Sequence, residues 1–117
     1  MATFSKRILS GSTDGKGITV SATSSGSGNT IHTAVSGTTD FDEVWVYAYN
    51  SHTSSVTLNL EFGGTSSSQR ISQPVDPSSG LYLLVPGFVV QNGAVISAYA
   101  SQASKVTLYG YVNRIDS

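Results

Sequence analysis

The 117-residue chain has no cysteine, so neither a disulfide framework nor a thiolate metal site can be built. That suits a reducing compartment. Charge is scarce as well: 11% of residues are charged and the net charge is −1. Only Lys6 and Arg7 form an adjacent basic pair, whereas nucleic-acid binders carry a basic stripe, so no nucleic-acid partner is expected. No stretch approaches the roughly 20 apolar residues of a membrane span, so no membrane partner is expected either. The opening MATFSKRILSGS lacks the continuous apolar core of a signal peptide, which points to synthesis in the cytoplasm of the producing cell. No window carries a helical period.

Chemistry is equally thin. No Gly-x-Ser-x-Gly stands on a strand-to-helix elbow, and Ser25-Gly26-Ser27-Gly28 reads as a low-complexity turn. Asp14-Gly15-Lys16-Gly17 resembles a turn and not a phosphate loop, because no helix follows it. His32 sits in a strand among threonines and His52 in a loop; a metal site needs further ligands brought close in space. The carboxylates are Asp14, Asp40, Asp42, Glu43, Glu61, Asp76 and Asp116. Glycoside hydrolysis needs two of them facing across a cleft. Asp42 and Glu43 are adjacent at a strand start and should point to opposite faces as solvated charges, with calcium binding alongside Asp40 as the sharper option. The expectation is no catalytic residue, no metal and no cofactor.

What the chain does have is alternation. Runs with period two, bounded by Gly, Ser and Asn turns, fall at 18–23, 30–35, 42–50, 55–62, 69–75, 81–85, 94–100 and 105–113. They predict an all-β fold: a two-sheet antiparallel sandwich of about eight strands, most simply a jelly roll. Val56, Leu58, Leu60, Val106 and Leu108 should be core, with Thr57, Asn59 and Glu61 pointing out. Pro74 marks the 69–75 run as an edge. Pro86-Gly87 should end the strand before it, and Asn92-Gly93 is the best hairpin signal because a type I′ turn needs positive φ at both central residues.

Residues 1–16 read as an N-terminal arm, with a short strand at 6–9 at most, ahead of a single domain at 17–117. Lys6, Arg7, Ile8 and Leu9 are expected to dock on a neighbouring subunit or a larger surface. At an offset of fifty residues, Val56-Thr57-Leu58 matches Val106-Thr107-Leu108 and Ala48-Tyr49 matches Ala98-Tyr99. This is either chance in a Ser/Thr-rich chain or two four-strand halves, 18–62 and 69–113. No third copy exists, so a solenoid is excluded.

The segment DEVWVYAYN at 42–50 is the most informative. Val44, Val46 and Ala48 fall on one side and Trp45, Tyr47 and Tyr49 on the other. Tyr109 and Tyr111 alternate in the same way on the last run. Either both faces are simply covered, or the five rings form an interface, where Trp and Tyr are enriched as anchors. Sugar stacking on the rings is a further option, but it lacks an evident acidic or amide partner.

RILSGSTDGKGI at 7–18, SGTTD followed by DEVW at 36–45, and GYVNRI at 110–115 together resemble small proteins encoded among the head genes of tailed bacteriophages. The resemblance spans nearly the whole chain and rests on turn-and-strand patterns. It implies an auxiliary capsid protein, a decoration or cement protein on the outer face of the virion shell, with the major capsid protein as partner and homotrimers at local three-fold positions. That family offers no catalytic residues to carry over. The alternative is a receptor- or carbohydrate-binding module of a phage fibre.

Overall fold

A computed structural model describes residues 2–77 and 80–116; Met1 of the expected arm, Ser78, Ser79 and Ser117 lie outside the described residues. Among the described residues nine strands form: β1 (Thr3–Ile8), β2 (Ile18–Thr19), β3 (Asn29–Thr33), β4 (Phe41–Asn50), β5 (Val56–Phe62), β6 (Arg70–Val75), β7 (Tyr82–Val90), β8 (Val95–Ala100) and β9 (Val106–Asp116). The remaining regular element among the described residues is one 3-10 turn at Ser67–Gln69.

The pairing is that of a long hairpin rolled on itself. With the β5–β6 hairpin at the tip, β4 pairs with β7, β3 with β8 and β2 with β9, all antiparallel. Two further pairings, β4 with β9 and β5 with β8, close the roll. The result is a first sheet ordered β1-β9-β4-β7, with β2 also on β9, and a second ordered β3-β8-β5-β6. From β2 onward, successive strands alternate between the two sheets except at the β5–β6 hairpin, which is jelly-roll winding; β1 is added at the edge of the first sheet. Each suggested half supplies two strands to each sheet. An exact two-fold would pair Ala98 with Leu58, as Ala48 pairs with Leu108, but Ala98 pairs with Leu60.

The core lies between the sheets. Val44, Val46, Ala48, Val106, Leu108 and Val112 of the first sheet face Ile31, Val56, Leu58, Leu60, Ile96 and Ala98 of the second, all essentially without solvent exposure. The five expected core residues are all there. Pro74 sits on β6, an edge of the second sheet, where its missing N–H costs no ladder bond. Between β9 and β4 the backbones approach so closely that a Cβ on Gly110 would lie 2.0 Å from the Trp45 carbonyl oxygen.

Several expectations change. Thr3–Ile8 is a strand paired along its whole length with β9, so the first half of the arm is the edge of the first sheet. Leu9 is 1% exposed and belongs to this chain's own core, which removes it from any docking role. Only two residues of the 18–23 run are strand. Beyond them the chain crosses between sheets: the Val20 N–H bonds Val106 on the first sheet, and the Ala22 carbonyl accepts from Ala100 on the second. Pro86-Gly87 does not end β7. Gly87 takes φ 82° at a register shift opposite β4, a bulge that bends the strand and lets it continue to Val90. Asn92 and Gly93 have φ 58° and 69°, as a type I′ turn requires, but the turn joins β7 of one sheet to β8 of the other. Two carboxylates expected in solvent, Asp42 and Glu61, are buried.

Candidate functional site

Alternation along β4 and β9 carries the five predicted aromatic residues to the outer face of the first sheet. The register sets Trp45 opposite Tyr111, Tyr47 opposite Tyr109 and Tyr49 opposite Thr107. Directly opposed rings on an antiparallel pair are close enough to interact. Trp45 and Tyr111 stack with ring centroids 6.3 Å apart and planes 14° apart. On its other side the indole lies against Gly87, where an added Cβ would meet ring carbons at 3.0 Å. The glycine of the bulge thus makes room for the only tryptophan.

The neighbouring strands extend this face. From β1, Lys6 lies over the Tyr111 ring at 4.8 Å, a cation–π contact. Ile8 stands opposite Tyr111 and is half exposed, and Phe4, opposite Ile115, is 70% exposed. From β7, Leu83 stands opposite Tyr47 and Val89 opposite Glu43, both exposed. The expected arm residues therefore separate: Lys6 and Ile8 join the aromatic face, Arg7 is exposed and bonds Ser5, and Leu9 is core.

Glu43 is the acidic partner that sequence reasoning missed. Its Oε1 accepts from Trp45 Nε1 at 2.8 Å and from Asn113 Nδ2 at 3.0 Å. The hydrogen bond from Trp45, then that from Asn113, outweighs slight burial and holds the carboxyl below its usual value. The signal was available: Glu43 is two residues before Trp45 and Asn113 two after Tyr111, so each shares the face of its ring. Asp42, one residue along, points inward, as adjacent strand residues must.

That inward carboxylate anchors a buried network. Arg114 donates from Nε to Asp42 Oδ1 at 2.8 Å and from Nη2 to Oδ2 at 3.0 Å. His32 Nδ1 accepts from the Ser10 backbone N–H at 3.0 Å, so Nε2 carries the ring proton and donates to Asp42 Oδ2 at 2.7 Å. The Val35 N–H also reaches Oδ2. Burial alone would raise the Asp42 pKa, but the bonds from Arg114, His32 and Val35 together hold it below the ordinary carboxylate value. The same carboxylate raises the Arg114 pKa. Both imidazole nitrogens are engaged, and the Ser10 hydroxyl is taken by the Thr33 N–H at 2.7 Å. The triad-like set of Ser, His and Asp is thus a lock between the end of β1, β3, β4 and β9.

A second buried carboxylate, Glu61, accepts from Ser25 Oγ at 2.7 Å and pairs with Arg70 at 3.4 Å. Arg70 also bonds the Thr65 carbonyl and covers Tyr99, which ties two loops to the second sheet. Where the edges β6 and β7 part, an open cleft of about 520 Å³ lies between the sheets, walled by Phe62, Ile71, Phe88, Val89 and Val90 with Arg70 at its rim. Among the described residues no three His, Asp or Glu side chains converge as metal ligands, and no helix is long and apolar enough to cross a membrane. No protein-family model matches the chain, and no curated protein matches it significantly.

Proposed function

We propose that this chain is a virion structural protein that decorates the outer face of a phage capsid and stabilises it by bridging capsomers. Its working surface in this reading is the outer face of the first sheet. One observation carries it: an apolar, aromatic panel four strands wide whose charges, Lys6 and Glu43, are already engaged within the chain. Four strands about 4.8 Å apart and six to eleven residues long cover roughly 570 Å². That is about two-thirds of the ~800 Å² that each partner buries in a standard interface. Exposed apolar patches of this size mark protein contact surfaces.

The resemblance to phage head proteins supplies the partner, the major capsid protein, and the expectation of a homotrimer on the shell of the virion, after synthesis in the host cytoplasm. The physics suits the role. A protein that binds only the assembled lattice stabilises it by mass action. Three linked copies raise one another's effective concentration at the surface, so each contact can be modest. Co-sedimentation with capsids lacking the protein tests this reading. Binding that is lost in Tyr47→Ser/Leu83→Ser supports it, and equal binding by the variant overturns the assignment of the face.

A second reading has its own support. Glu43 and Asn113 beside the flat Trp45 ring are the acidic and amide partners that sugar stacking needs. In that reading the chain is a carbohydrate- or receptor-binding module of a phage fibre. A glycan array separates the two: selective binding abolished by Trp45→Ala favours the fibre module, and no selective binding favours decoration.

A further inference from the structure

Two features of the first sheet lie on opposite edges at the same height. On the β1 edge, Phe4 is in register with Ile115 and, through it, with Phe41. At 70% it is the most exposed of the large apolar side chains among the described residues. On the β7 edge, Val89 and Val90 are in register with Glu43 and Asp42. They border the cleft of about 520 Å³, where the tilted rings of Phe62 and Phe88 stand 6.1 Å apart. One edge thus offers a protruding phenyl ring, and the other an open, mostly apolar cleft, lined also by Ser68, Gln69 and Arg70, with the volume to take it.

We infer that Phe4 of one copy inserts into the Phe62–Phe88–Val90 cleft of the next, which makes the contact between copies head-to-tail. The contact rests on the self-association proposed above and names the residues that make it. A rotation about an axis parallel to the strands moves a copy sideways without changing height. Phe4 and the cleft therefore meet without translation along the strands, and a head-to-tail contact of that kind closes into a ring where its rotation divides a full turn, as it does in a homotrimer. Within one chain the two features lie on opposite sides of the sheet, with β9 and β4 between them, so Phe4 cannot fill its own cleft. The aromatic residues of β4 and β9 occupy the panel between the two contact edges.

Because the chain has no cysteine, introduced pairs report the contact without background. Thr3→Cys/Val89→Cys, which places a thiol beside Phe4 and keeps its ring, should link under mild oxidation into covalent dimers and trimers on a non-reducing denaturing gel, with trimer as the end point. The control Thr3→Cys/Leu81→Cys moves the second thiol about 26 Å down the β7 edge and should link no better than either single variant. Phe4→Ala should weaken self-association about tenfold or more, as expected for an interface anchor, and leave the monomer folded. If light scattering finds the wild type assembled but the Val89 pair links no better than the Leu81 pair, this contact is wrong and self-association stands. Unchanged assembly of Phe4→Ala overturns the contact in the same way. A wild type that stays monomeric at high micromolar concentration overturns both the contact and the self-association it rests on.

Discussion

The two outer faces of the sandwich are built on the same strand alternation and have opposite chemistry. On the second sheet, the face away from the core presents Thr57, Asn59, Ser72, Ser97 and Tyr99. Its hydroxyl and amide groups bond one another, as Ser72 does with Asn59, and Arg70 covers Tyr99. On the first sheet, the equivalent positions hold Trp45, Tyr47, Tyr49, Tyr109 and Tyr111, flanked by Phe4, Ile8, Leu83 and Val89. Among the described residues, Val95 is the one exposed large apolar side chain on a second-sheet strand. An antiparallel sheet needs only one buried face for stability, and its other face can be solvated. The second sheet does that with hydroxyl and amide groups and with the Arg70–Glu61 pair. The first spends its free face on rings, a choice the fold does not require.

The largest expected effects come from the inner faces, which the two sheets share. Leu58→Ala on the second sheet and Leu9→Ala at the end of the first-sheet edge should each cost about 2–5 kcal/mol in denaturant unfolding. Equal sensitivity would show that residues 3–9 are part of the domain. A truncation lacking residues 2–10 should accordingly be grossly destabilised and not merely deficient in docking. Next comes the network behind the aromatic face. Asp42→Asn leaves Arg114 and His32 without their carboxylate and should cost roughly 2–4 kcal/mol, below the full buried-pair figure because Arg114 reaches solvent. Its pH signature has a definite sign. The folded-state pKa of Asp42 is depressed, so its contribution is fully present above the ordinary carboxylate value. It is lost as pH falls below about 4 and through the folded value, and Asp42→Asn should flatten that part of the stability–pH curve.

These positions also mark what could be read from the chain and what could not. Period-two runs identified eight of the nine strands among the described residues, a two-sheet sandwich and the core positions Val56, Leu58, Leu60, Val106 and Leu108, because burial on one face imposes alternation directly. The same parity assigned the five aromatic residues to one face. What escaped were features set by pairing partners distant in sequence. Thr3–Ile8 has little apolar pattern of its own and becomes a strand because β9 offers it a full ladder. Asp42 looked like a solvated strand-end charge, since nothing local reveals that Arg114, seventy-two residues away, will meet it. Pro86-Gly87 carries a turn signature and serves as a bulge, because β4 continues past it. Glu43 was legible by parity and was passed over because its neighbour Asp42 drew the same reading.

Smaller effects separate the two outer faces themselves. Tyr47→Ser or Leu83→Ser should weaken capsid binding about tenfold or more, with little change in monomer stability. Tyr99→Ser on the second sheet should leave capsid binding unchanged, and loss of capsid binding in Tyr99→Ser would erase the distinction between the faces. Ser72→Ala should shift unfolding by less than about 0.5 kcal/mol, the usual range for an exposed position.

Electron cryomicroscopy of virions carrying the protein tests the central claim most directly, because it shows which outer face is covered. The account predicts jelly-roll density on the outside of the shell. Trp45, Tyr47 and Tyr109 should be buried against capsid protein or a neighbouring copy, and the Ser/Thr face of the second sheet should be turned to solvent. Density with the aromatic face turned to solvent and the second sheet against the shell would contradict it.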